Sequence, residues 1–216
     1  MSETIERTAT DTAPAPRPWA RTPRLALREF ADADHDELIA MHREPRLREH
    51  LIDDYPLHQP AVARLFLQRI AQLYRVHEGL GIWHATRLQP EPRFAGWFSL
   101  MPMAGHEGQV EIGARLLPHA WGLGLAMEGC EQLLTHAFHT LHRSHVWGVC
   151  HPANRSAQAV LRALGFEAMG LANYDGHHAS HWRLDAHVWQ APDTTPRRLK
   201  LRRALRPQPP HGEARA

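Results

Sequence analysis

The spacing of apolar residues changes along this chain, and the changes separate helices from strands. Leu123, Ala126, Met127, Cys130, Leu133, Leu134, Ala137, Phe138 and Leu141 recur at steps of three and four. Glu128, Glu131, Gln132, Thr135 and His139 fill the opposite side, which predicts an amphipathic helix running to about His142. Just upstream, Val110, Ile112, Ala114 and Leu116 alternate with Glu111, Gly113 and Arg115, the period of a strand over 109–117. The same reading predicts strands at 24–30, 81–88, 93–101, 145–150, 166–174 and 181–189, with 81–117 an antiparallel meander. It predicts helices from the Asp-rich run at 32 to near Pro45, over 60–76, and over 154–164, the last capped by Asn154 and closed at Gly165. The order β-α-α-β-β-β-α-β-α-β-β is a mixed α/β fold of the α+β type, about seven strands and four helices.

The two ends break this pattern. Residues 1–20 are rich in Thr, Pro and Ala and read as a disordered extension; 21–190 reads as one domain; 191–216 reads as a basic, Pro-rich tail independent of it. The tail carries a net +5, so with the whole chain at +2 the remainder is −3. The basicity therefore belongs to the tail, which argues against a nucleic-acid-binding domain; the tail reads as a solvated or weakly helical extension, with RNA or ribosome contact as its alternative. At 216 residues and 43% apolar content the chain supports one well-packed domain. The expected location is the cytoplasm: no run approaches the roughly 18 apolar residues of a membrane helix, and the N-terminus lacks a signal's basic and apolar regions. Cys130 and Cys150 match no zinc or redox spacing.

Between the predicted strand and the long helix lies HAWGLGLAMEG, residues 119–129. Glycines at a helix start let backbone approach a ligand, and the free N–H groups with the helix dipole favour an anion such as phosphate. Two nucleotide loops fail here. The dinucleotide fingerprint needs glycine where Met127 stands, and a Walker loop needs Lys-Ser/Thr where Cys130-Glu131 stand.

Three segments, in order, resemble a known family. TPRLALREF, VEIGARLLPHAWGLGLAMEG and HPANRSAQAVLRALGFEAMG are similar to the opening strand, the strand–glycine loop–helix and the Asn-led helix of GNAT N-acetyltransferases. The kind resembled includes the RimJ/RimL ribosomal-protein N-acetyltransferases, and the resemblance covers roughly residues 20–190. It implies a splayed sheet with acetyl-CoA as co-substrate, its pyrophosphate on the glycine loop and its pantetheine between the strand of Glu111 and the strand 145–150. Ile112, Trp121, Gly122, Leu123, Gly124, Leu125 and Ala126 are then the cofactor-binding positions, with Asn154 beside the thioester or simply capping its helix.

The acceptor implied is a primary amine. A free α-amine is already roughly 10–20% neutral at pH 7, a lysine below about 0.1%, so an α-amine needs only a modest base. By resemblance Glu111 is that base; the alternative is a solvated or ion-paired strand glutamate. The subgroup's Asn-x-x-Ser serine position is Ala157 here. Ser156, one residue early and roughly 100° round the helix, is the serine candidate for the general acid, with Tyr174 and Cys150 as core-like substitutes. His136, His139 and His142, and the turn HHASH with His177, His178 and His181, read as solvated, with no metal site. Trp83 and Trp97 are packing residues or acceptor-cleft walls. A protein N-terminus and a small amine (antibiotic or polyamine) remain open as acceptors, on a monomer or homodimer. A non-catalytic acyl-CoA sensor is the alternative from another class.

Overall fold

The structure is a computed structural model and describes residues 18–53, 55–189 and 197–205. Eight strands form one sheet: β1 (Ala20–Arg21), β2 (Leu25–Glu29), β3 (Gly81–Arg87), β4 (Arg93–Pro102), β5 (Val110–Leu116), β6 (His145–Cys150), β7 (Glu167–Tyr174) and β8 (His177–Asp185). Six helices accompany them: α1 (His35–His42), α2 (Pro45–Arg48), α3 (Pro60–Val76), α4 (Leu125–Thr135), α5 (Arg155–Ala163) and α6 (Arg197–Ala204). The predicted meander is β3-β4-β5, and every predicted strand and helix is present. The two-residue β1 and one-turn α2 are too short for a periodic signal, and α6 lies in a segment too polar to show one.

Strand order is β1-β2-β3-β4-β5-β6-β8-β7. All neighbours are antiparallel except β5 and β6, which are parallel and pair only at Glu111–Trp147 and Ile112–Gly148. Beyond those two pairs the strands part, and the sheet opens toward the C-terminal ends of both. Ala114 shows the effect: it shares a face with the buried Val110, Ile112 and Leu116 yet is exposed.

The two faces carry different cores. On one, Phe98, Leu100, Ile112, Val146 and Leu184 pack against Met127, Leu133 and Leu134 of α4 and Leu161 of α5. Gly129 sits inside α4 because a Cβ there would lie 2.2 Å from the Phe98 ring, so its absence lets the helix settle onto the sheet. On the other face, Leu38 and Met41 of α1 and Leu67 and Ile70 of α3 cover Ile82, Phe94 and Trp97. α1 and α3 stop there, leaving the β5-β6-β8 part of that face without a helical cover.

One contact joins two of the segments that carried the family resemblance. Glu128, whose side chain is fully buried, accepts from Thr22 Oγ1 (2.6 Å), Arg24 N (2.9 Å) and Arg24 Nε (2.7 Å). Arg24 NH1 also donates to the Leu123 carbonyl at 2.8 Å. Burial pushes the Glu128 carboxyl upward, but the hydrogen bonds from Thr22 and Arg24 overcome it and hold it below the usual carboxylate range. The start of β2 is thereby tied to the glycine loop and the first turn of α4.

The N-terminal boundary falls two residues earlier than predicted, since Trp19 stacks on Trp83 at 4.2 Å and Ala20 is in β1. Within the basic tail, α6 docks on the domain. Arg197 donates to Glu131 (2.6 Å) and lies 3.6 Å from Glu128, Arg162 NH1 donates to the Ala204 carbonyl (2.9 Å), and Leu201 packs against the core. Residues 1–17, 190–196 and 206–216, where the rest of the two predicted extensions falls, lie outside the described residues.

Candidate active site

The glycine loop follows β5 directly. Gly122 and Gly124 have φ of +69° and +75°, a left-handed backbone that residues with a Cβ resist. Gly124 is the N-cap of α4 and offers no side-chain cap. Among the described residues, the N–H groups of Gly122 through Met127 meet no acceptor at hydrogen-bond geometry. A Cβ at Gly122 would meet nothing within 4 Å, so the approach is open there, whereas Gly124 is buried beside Arg197 and Arg24. Free amides on the positive end of α4 suit a phosphate-bearing co-substrate, and the opening between β5 and β6 leads up to them. Trp121 is 40% exposed and fixed at the loop edge, its Nε1 donating to the Leu116 carbonyl at 2.6 Å with Arg46 over its ring. Leu123 and Ala126 are half-buried, whereas Leu125 and Ile112 send their side chains into the core. Ile112 is the last β5 residue paired with β6, so its backbone borders the opening.

The second junction, β6 to α5, is built differently. Asn154 Oδ1 accepts from the Ala157 N–H at 3.0 Å, so Asn154 caps α5. Ser156 is exposed on the first turn of α5, while Ala157 packs on the core. His151, after β6, stacks on His50 from the α2–α3 connection at 6.2 Å.

Glu111 lies at the head of the opening, on the α1 and α3 side of the sheet but past the strands those helices cover. Its Oε1 accepts from the Tyr174 hydroxyl at 2.5 Å; its Oε2 is buried and without a partner among the described residues. Burial raises the carboxyl above its ordinary range, and the Tyr174 hydrogen bond and the charge of His106 offset this only in part. Among the described residues Glu111 has no ion-pair partner, and the residue is half-buried. Tyr174, a core-like substitute for the acid in the sequence reading, holds the Glu111 carboxyl in place. The tyrosine arrives from the tip of the β7–β8 hairpin, and its own ionisation is pushed far up by burial and then by Glu111.

That hairpin corrects the reading of HHASH as a turn. The turn is Asp175–Gly176, both with positive φ, and β8 begins at His177. Asp-Gly is a strong two-residue hairpin signal, and it places His177, His178 and His181 on the strand instead of in solvent alike. His177 and His178 are exposed, but His181 is 6% exposed, and burial lowers its pKa below the ordinary histidine value. Its ring lies 6.2 Å from Tyr174 and 6.5 Å from Trp147. His136 also departs from a solvated reading, since it is half-buried and bonded to the Gly79 carbonyl.

Trp83 and Trp97 are core residues, 2% and 6% exposed, and it is Trp147 that reaches the open face. Cys150 and Cys130 are buried free thiols, and burial pushes their pKa values up to about 11 and about 12. Further along β5, Arg115 donates to Asp53 (2.8 Å) and to the buried His42 (3.0 Å), closing the face on the α1 side. Asp34, Glu37 and His84 approach one another beside a cavity of about 750 Å³. They are mutually satisfied: Arg28 and the Ala31 N–H occupy Asp34, and His84 bonds Glu37.

Among the described residues, no helix is long and apolar enough to cross a membrane. Residues 24–167 match the family model for the acetyltransferase (GNAT) domain. The chain is 24% identical over 155 residues to the uncharacterized N-acetyltransferase YoaA of Bacillus subtilis, an alignment covering 71% of this chain and 85% of that one. Its fold is similar to that of an acetyltransferase from Agrobacterium tumefaciens (TM-score 0.64, 22% identity, 82% of this chain and 99% of that one). It is also similar to RimL, an alpha-N-protein acetyltransferase of a ribosomal protein, in complex with coenzyme A (TM-score 0.62, 19% identity, 76% and 95%). With the family model spanning two thirds of its length, the chain belongs to the GNAT acetyltransferase family and is an acetyl-CoA-dependent acetyltransferase.

Proposed function

We propose that this protein transfers the acetyl group of acetyl-CoA to a primary amine by direct attack within a ternary complex. The observation that carries the reading is Glu111: a carboxylate of raised pKa with one oxygen held by Tyr174 and the other unpartnered, at the head of the β5–β6 opening. A raised pKa makes a carboxylate a better proton acceptor near neutral pH, the property a general base requires. The amine nitrogen bonds the acetyl carbon as the carbon–sulfur bond breaks. Glu111, directly or through water, takes the proton that the nitrogen sheds, and Ser156 is the serine candidate for protonating the departing thiolate. The free amides at Gly122–Ala126 hold the pyrophosphate and Asn154 borders the other side. RimL acts on a protein α-amine, and this chain's similarity to it supports the α-amine of a protein as acceptor.

Acetyl-CoA turnover against a panel of peptides and small amines tests the reading, with Glu111→Gln as the diagnostic variant. Wild-type turnover should fall on the acid side with a midpoint above the ordinary carboxylate range, because a protonated Glu111 cannot accept. Glu111→Gln should lose about 10²–10⁴-fold in turnover at neutral pH, keep its acetyl-CoA affinity, and recover part of its rate at high pH, where the amine is already neutral. Linkage adds a second check. A carboxyl whose folded pKa is raised loses stability as pH rises through that pKa, so Glu111→Gln should be as stable as wild type or more so at neutral pH. Full wild-type turnover in the variant removes Glu111 from the chemistry, and acetyl-CoA binding without turnover of any amine favours a sensor.

A further inference from the structure

Eight buried side-chain polar atoms among the described residues have no hydrogen-bond partner, and three of them fall in one group: Glu111 Oε2, Trp147 Nε1 and His181 Nε2. Register explains the gathering. Trp147 is the β6 partner of Glu111, Arg183 is the β8 partner of Trp147, and His181 lies two residues from Arg183, so all three side chains share the uncovered face. The ring contacts from Trp147 to His181 and from His181 to Tyr174, and the Tyr174–Glu111 hydrogen bond, close the group into one chamber wall. Buried polar groups left unpaired cost stability, so a cluster of them lining one chamber beside the β5–β6 opening points to a ligand that completes their bonds.

The chemistry of the three atoms is not uniform. Glu111 Oε2 accepts and suits the amine. Trp147 Nε1–H can only donate, and the buried, unpartnered Nε2 of His181 can donate when it carries the ring proton. A bare alkylamine offers these donors nothing. We infer that Trp147 and His181 are specificity-determining residues that hydrogen-bond an acceptor atom carried beside the reacting amine, selecting amines with a neighbouring carbonyl over simple alkylamines and polyamines. This rests on the acetyltransfer reading above and assigns roles to two residues outside it.

The test compares alanine amide with its branched alkylamine isostere, in which an isopropyl group replaces the carboxamide, for wild type, Trp147→Phe, His181→Leu and His181→Gln. Each neutral hydrogen bond corresponds to roughly 2–10-fold in rate. Trp147→Phe and His181→Leu should therefore lower kcat/KM for alanine amide by about that factor and leave the alkylamine and the KM for acetyl-CoA unchanged. Comparing each variant with wild type cancels the different pKa values of the two amines. His181→Gln, which can still donate, should restore part of the loss. Alanine amide should also shift the ring-nitrogen NMR signals of His181. Equal losses for both amines, no response to either substitution, or acetylation of other amines but not alanine amide overturns this inference alone. A wild-type protein that acetylates no amine overturns the acetyltransfer reading and this inference with it.

Discussion

Two strand-to-helix junctions face each other across the opening in the sheet, and they treat their helix ends in opposite ways. Where β6 enters α5, Asn154 turns its own side chain onto the Ala157 N–H, so the helix end is completed from within. Where β5 enters α4, Gly124 has no side chain to give, and the amides from Gly122 to Met127 stay free among the described residues. A helix start with glycine in place of a capping side chain forgoes roughly a few tenths of a kcal/mol. The chain accepts this at one junction and not at the other, and stiffens the uncapped one from outside through Thr22, Arg24 and Glu128. The difference separates a helix end closed by its own side chain from one whose amides stay free, as the proposed pyrophosphate site requires.

The comparison breaks most decisively at Gly124. Gly124→Val places a β-branched residue at φ +75°, with its Cβ against Arg197. Calorimetry should show no acetyl-CoA binding while a cooperative thermal transition persists. Unchanged affinity would make the loop a turn and nothing more.

A smaller effect is expected from ending the chain at residue 196. The sequence read the tail as independent of the domain, but α6 brings Arg197 onto Glu128 and Glu131 and Leu201 onto the core. Its removal should cost roughly 2 kcal/mol, a fall in Tm of about 4–8 °C. Acetyl-CoA affinity should weaken only a few-fold, because Arg24 and Thr22 still hold Glu128. An unchanged melting curve would show that α6 contributes nothing to the uncapped junction.

Asn154→Ala sharpens the other side. Loss of the cap should cost about 1 kcal/mol in urea unfolding, Asn154→Ser should retain most of it, and acetyl-CoA affinity should stay within about two-fold for both. A tenfold loss of affinity in the alanine variant would mean that the Asn154 side chain serves the co-substrate as well as the helix.

Local pattern determined much of this protein. Strand alternation and helical spacing placed the meander, the long helix after the glycines and the Asn-capped helix, since each is a property of neighbouring residues. The glycines at 122 and 124 announced a left-handed turn at a helix start, because few other residues tolerate that backbone. Glu111 was singled out by the family resemblance of the strand that carries it. Tertiary structure alone decided what surrounds it. Tyr174 is sixty-three residues away in sequence and reaches Glu111 only because the β7–β8 hairpin folds back over the open face. Trp147 and His181 join it through sheet register, and their importance lies in bonds left unmade, which no periodicity reveals. The tail helix escaped for the related reason that its hold on the domain is electrostatic and long-range, Arg197 meeting acids on α4 that only the fold brings within 2.6 Å. Sequence specifies which groups a chain owns; packing decides which of them lose water, and with it their ordinary pKa values and partners.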